Sequence, residues 1–186
     1  PGCSMTHHEK LALAHSLADL GVDILEAGFA IASDGDFAAI SAVACEVRGP
    51  KIASLAQARR EDVERAAKSV EKAQRPRIHV FLASSDIHLE YKLKITREAA
   101  LDQASAMVAL ARTYVDDVEF SPEDATRTDP EFLCQFVGAA LAAGAGTSNL
   151  PDTVGYATPE DYSAMFRMIL EKVPGADRVI FSTLCH

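Results

Sequence analysis

The feature that most constrains this chain is a regular alternation of short apolar runs with amphipathic stretches. Residues 6–20 (THHEKLALAHSLADL) place Leu11, Ala14, Leu17 and Ala18 on one helical face, with Thr6 as N-cap and Gly21 as the stop. VDILEAGFA follows, a short apolar run suited to a buried parallel strand. The same alternation predicts helices at 36–48, 59–73, 96–114, 130–143 and 159–172. It predicts parallel neighbouring strands at 23–29, 51–56, 78–83, 117–121, 147–151 and 178–184, with the helices on their outer face.

A repeat of roughly 25–35 residues suits βαβ units joined by right-handed crossovers. A Rossmann sheet is the competing architecture, but it calls for a glycine-rich turn after its first strand, and no GxGxxG occurs. Regular spacing and polar strand ends favour a barrel. The fold class is therefore α/β, a partial TIM (β/α)8 barrel of about six consecutive units. With no linker, low-complexity tract or composition shift, residues 1–186 read as one domain. A closed barrel needs about 250 residues, so the first strand and at least one C-terminal strand are expected to lie outside the chain, as is any regulatory domain.

Composition narrows the function classes. The chain is 48% hydrophobic and 24% charged, which is the balance of a folded protein. Its net charge of −9, with acidic residues spread throughout, excludes a basic footprint for nucleic acid. No uninterrupted apolar stretch reaches membrane-spanning length, so no membrane partner is expected. Cys3, Cys45, Cys134 and Cys185 form no CxxC pair and read as free thiols in a reducing, cytoplasmic compartment. The opening Pro-Gly-Cys-Ser-Met-Thr has neither the basic start nor the apolar core of a signal peptide. It reads as a start in mid-gene.

Active sites of such barrels lie at the C-terminal ends of the strands. In DVEFSPE the two-residue period sets Glu119, Ser121 and Glu123 on one side and Val118 and Phe120 on the other. The apolar side should face the helices, so the polar trio points inward, where charges are costly unless paired or bound to metal. The same period groups His79, Phe81 and Ala83; Ile24, Glu26 and Gly28; and Ser182, Leu184 and His186. Two inward histidines beside carboxylates suit ligand binding or substrate orientation. His7, His8, His15 and His88 fall on helices or loops and read as surface residues, and the charges of 59–73 as a solvated face with i,i+4 pairs.

The runs SMTHHEK, LGVDILEAGF, RPRIHVFLASSDIHLEYKL, DDVEFSPEDATR, NLPDTVGYATP and the terminal CH occur in one order along the whole chain. Together they resemble the 2-isopropylmalate synthase family. The resemblance implies a catalytic barrel that condenses acetyl-CoA with a 2-oxo acid, 2-oxoisovalerate in leucine synthesis, with a divalent metal (Mg, Mn or Zn) at the strand ends. It also implies a homodimer, and a plastid location if the source is a plant. Carried over by position, it puts His79, Ser121 and Thr153 around the 2-oxo acid and Glu123 in proton transfer. His186 falls on the second histidine of a metal-binding His-x-His pair.

Departures from the family accompany the match. Its Arg-Asp-Gly-Glu-Gln motif would sit just before Pro1, and Leu184 replaces the first metal histidine with a side chain that has no lone pair. One protein ligand of the expected four remains, too few for a tight divalent site. Without the family's arginine, desolvation of Glu123 is expected to go unopposed and to favour its neutral form. Ala30 stands where the family usually has proline, and Ser148 interrupts an apolar strand. Two alternatives stay open beside the 2-isopropylmalate synthase reading. One is a sibling citramalate or homocitrate synthase. The other is a catalytically inactive barrel piece, and on its own the chain is expected to be inactive.

Overall fold

The computed structural model describes residues 5–186, so Cys3 lies outside the described residues. Its elements follow in the order α1 (His7–Leu20), β1 (Ile24–Phe29), α2 (Asp34–Glu46), β2 (Lys51–Gln57), α3 (Arg60–Val70) and β3 (Pro76–Ala83). They continue with α4 (Arg97–Arg112), β4 (Asp117–Glu123), α5 (Pro130–Ala142), β5 (Thr147–Asp152), α6 (Pro159–Lys172) and β6 (Ile180–Cys185). Local chemistry sets many of the boundaries. Thr6 closes a capping box with Glu9, and Gly21 ends α1 at φ 87, where a residue with a Cβ is disfavoured. Ser33, Thr96, Asp129 and Thr158 cap the helices that follow them, each accepting a backbone N–H three residues on.

All five strand pairs are parallel, and the spatial order β1-β2-β3-β4-β5-β6 equals the chain order. Each crossover carries a helix, which makes the chain a partial (β/α) barrel. Side chains on the outer face of the sheet pack under the helices in three apolar clusters. The largest joins Ile78, Val80, Leu82, Val118 and Phe120 to Val63, Val108 and Phe136. Phe120 and Phe136, both without measurable exposure, meet edge-on at 5.4 Å. The other clusters seat α1 and α2 over β1, and α5 and α6 over β5.

Three expectations need correction. The two-residue period breaks in β1, where the register slips between Glu26 and Gly28 and Gly28 adopts φ 142. A Cβ at Gly28 would meet Ile40 of α2, so Gly28 belongs to the helix side and not to the inward set of Glu26. His88 is no plain surface residue. It opens a π-helical turn, His88–Leu93, and its Nδ1 lies 3.1 Å from the fully buried carboxylate of Asp124. Helix α3 does carry the exposed i,i+4 pair Arg60–Glu64, but Asp62 on its first turn is buried.

Candidate active site

The inner face of the sheet carries a continuous polar relay. His79 stands at the middle of β3, level with Glu119. Its Nδ1 lies 2.5 Å from Glu26 Oε2 on β1, and its Nε2 lies 2.6 Å from Ser121 Oγ on β4. Ser121 also accepts from Asn149 Nδ2 of β5 at 3.0 Å. Ser182 Oγ of β6 has two acceptors in reach of its one proton, Asn149 Oδ1 at 3.2 Å and Glu119 Oε1 at 3.4 Å. The β1 bulge sits beside Glu26, in keeping with the use of bulges to re-aim a side chain near a site.

Towards the N-terminal ends of the strands the relay is closed by Arg77, 1% exposed. Its guanidinium donates to Asp117, to Glu119 Oε2 at 2.7 Å and to Thr147, and Lys51 also pairs with Asp117. Burial raises the Asp117 carboxyl, and hydrogen bonds from Lys51 and Arg77 outweigh it, leaving the group below the usual carboxylate range. Burial likewise pushes the His79 imidazole down. The Glu26 hydrogen bond and charge, with Glu119 adding and Arg77 opposing, carry it to a net rise.

The C-terminal rim holds the other expected residues. Glu123, the last residue of β4, binds Lys92 Nζ through both oxygens, at 2.7 and 2.9 Å. Lys92 comes from the π-helical turn, so this carboxylate has a positive partner and its desolvation is not unopposed, contrary to expectation. Next to it Asp124 takes a left-handed φ of 68 and is fully buried. It accepts from Ser85 Oγ at 2.5 Å and Arg127 Nε at 2.8 Å, while its own N–H donates to Thr153 Oγ1 at 3.0 Å. The main-chain N–H of His186 donates to Asp152 O at 3.4 Å, and a Cβ on Gly155 would run into the main-chain oxygen of His186, so the chain crosses there only because that residue is glycine.

The five expected residues thus divide into two levels. His79 and Ser121 touch each other in mid-barrel, while Glu123, Thr153 and His186 stand at the rim and bond to neighbours of their own. His79 lies lower than expected, two register steps below Ser121 and four below Glu123. Periodicity singled out Glu26 without a role and passed over Asn149, although TSNLPD carries it at the inward parity. Arg77 likewise shares the inward parity of His79, whereas Lys92 and Asp124 leave no signal in the sequence pattern.

A divalent metal does not fit the residues present. Among the described residues no group of three or more His, Cys, Asp or Glu is arranged to hold an ion, and Leu184, 46% exposed, offers no donor.

The HMGL-like family model matches residues 1–186. The chain belongs to the HMGL-like family. Its curated relatives include the 2-isopropylmalate synthase of Pelotomaculum thermopropionicum, 53% identical over 186 residues that make up 100% of this chain and 37% of that protein. The 2-isopropylmalate synthase of Aquifex aeolicus is also 53% identical, over 100% of this chain and 36% of its own length. This family member therefore spans little more than a third of the curated relatives it matches. Among solved structures it is similar to hydroxymethylglutaryl-CoA lyase from Pseudomonas aeruginosa, with TM-score 0.78, 18% identity and coverage of 97% of this chain and 62% of that one. The lyase from Brucella melitensis matches with TM-score 0.74 and 20% identity, over 98% of this chain and 65% of that one. At such identities the lyases support the barrel fold alone.

Proposed function

We propose that this chain carries the 2-oxo-acid side of the catalytic barrel of an acyltransferase, one that condenses acetyl-CoA with 2-oxoisovalerate to give 2-isopropylmalate. The observation that carries this reading is the inward relay Glu26–His79–Ser121–Asn149. A 2-oxo acid presents a carboxylate and an adjacent keto oxygen, both acceptors. The Ser121 hydroxyl, held on the inner face between an imidazole and a carboxamide, can offer a donor to that pattern. The acetyl methyl must lose a proton before it can attack the keto carbon, and the oxygen of that carbon must gain one. Glu123, gripped through both oxygens by Lys92, is the rim carboxylate placed for such transfers. The names of the close relatives support the choice of 2-oxoisovalerate over other 2-oxo acids.

Under this reading the partners are acetyl-CoA and the 2-oxo acid, and the protein works as a homodimer in the cytoplasm, or in a plastid if its source is a plant. No helix among the described residues is long and apolar enough to cross a membrane. A second reading, a barrel piece without catalysis, is favoured by Leu184 at a position where the resemblance implies a metal-binding histidine.

One segment exchange tests both. The matching part of the Aquifex aeolicus synthase is replaced by these 186 residues, and thiol release from acetyl-CoA is followed with 2-oxoisovalerate, pyruvate or 2-oxoglutarate. The expected result is an inactive chimera that gains activity on Leu184→His, with 2-oxoisovalerate as best substrate. Preference for pyruvate or 2-oxoglutarate would move the chain to a sibling activity. Full turnover with Leu184 in place would remove the second reading.

A further inference from the structure

We infer that Glu26 is a positioning residue that holds His79 with a proton on each ring nitrogen, leaving the single hydroxyl proton of Ser121 to be donated into the barrel interior. The inference starts from hydrogen-bond counting. A serine hydroxyl has one proton to give and two lone pairs to fill. Ser121 Oγ has two nitrogen neighbours, His79 Nε2 at 2.6 Å and Asn149 Nδ2 at 3.0 Å. The Asn149 amide nitrogen can only donate. Nε2 donates if it carries a proton and accepts if it does not, and that one proton decides where the serine's own proton goes. With Nε2 protonated, both lone pairs of Ser121 are filled and its O–H is free. With Nε2 bare, the O–H is consumed by the ring.

The surroundings favour the first arrangement. An ionised carboxylate can only accept, so Glu26 Oε2, 2.5 Å from Nδ1, keeps a proton on that nitrogen in either state. Its negative charge then stabilises a second proton on the ring. The charged groups around His79 are Glu26 from β1, Glu119 from β4 and Arg77 on its own strand. Two carboxylates face one guanidinium, and Arg77 spends its donors on Asp117 and Glu119. His79 is only 9% exposed, but the Glu26 side chain is 43% exposed, so water screens that charge in part and the direct Nδ1–Oε2 contact carries more of its effect than charge at a distance. The β1 bulge that sets the local register lies immediately after Glu26, which ties its direction to the backbone.

The consequence rests on the 2-oxo-acid reading above. Ser121 becomes a hydroxyl donor poised for a carboxylate or keto oxygen, backed by an imidazolium, and Glu26 acts on the reaction through His79 without touching substrate.

The test uses the 186-residue chain and no substrate, so its outcome is separate from that of the segment exchange. Ring nitrogens of His79 are followed through pH by long-range 1H–15N correlation, with the resonances assigned from a His79→Asn variant. Both nitrogens should carry protons at the ordinary imidazole midpoint near 6.5, with the transition lying above it. Glu26→Gln should shift that midpoint downward, because the neutral amide keeps the shape and removes the charge. A bare Nε2 at pH 6.5 in the unmutated chain would overturn the inference, and that measurement needs no variant to fold. A Glu26→Gln midpoint equal to that of the unmutated chain would overturn it as well.

Discussion

Asp124 shows how a single residue organises the rim. Its carboxylate has no exposed surface, yet Ser85, His88 and Arg127 all reach it, and its left-handed backbone turns the chain from β4 into the short helical turn at Ala125–Arg127. Burial raises this carboxyl, and the hydrogen bonds of Arg127 and Ser85 with the charges of Arg127 and His88 outweigh it, so it lies below the ordinary 3.8. A depressed folded value means stability that is present above the unfolded midpoint and lost as pH falls through the folded one. Asparagine tolerates the left-handed conformation, which makes Asp124→Asn a test of charge more than of backbone. The variant should be less stable than the unmutated chain by about 2 kcal/mol near neutral pH. The gap should narrow as acid titrates the aspartate, read from urea unfolding at a series of pH values. A gap that persists unchanged below the folded midpoint would show that the carboxylate charge contributes nothing.

At the scale of the element, β5 carries the clearest conflict between local sequence and packing. Ser148 faces the helix side of the sheet, fully buried, and its hydroxyl has no hydrogen-bond partner. A buried hydroxyl without a partner costs free energy that an alanine would not. Ser148→Ala should therefore raise the unfolding free energy by about 1 kcal/mol, measured as a higher urea midpoint at constant slope. A clear loss of stability would mean that the hydroxyl is satisfied in solution. Strand β1 teaches a related lesson about reading elements. Its period-2 pattern puts Glu26 and Gly28 on one face, but a one-residue bulge separates them. Alternation identifies a strand reliably and assigns its faces only as far as the ladder stays in register.

For the whole molecule, six consecutive parallel strands place one end of every strand at a common rim, and Glu123, Thr153 and His186 reach it from β4, β5 and β6. The relay below the rim runs from β1 across to β6, with contacts on every strand but β2. Under the proposed function, that relay supplies a donor for a small acid. It does not supply a donor at Leu184, where the family resemblance calls for a metal-binding histidine. The 186-residue chain assayed alone should accordingly release no thiol from acetyl-CoA with 2-oxoisovalerate, followed by a free-thiol reagent. Turnover near that of an intact 2-isopropylmalate synthase would show that the roles given to these residues are wrong.

What the sequence by itself determined is the order and kind of the elements, the parallel barrel architecture and most of the inward set, because these follow from periods of two and 3.6 residues and from caps a few residues away. Ser121 and His79 were legible for that reason, and their family roles came from motifs that run along the whole chain. Only the tertiary structure decided the partners. Glu26 meets His79 across 53 residues, Arg77 meets Glu119 across 42, and Lys92 meets Glu123 across 31. Such pairs depend on strand register, on one bulge and on the path of a π-helical turn, none of which leaves a local period to read. The charge environment of each site residue is set by those distant neighbours, and so it could be known only once the strands were in place.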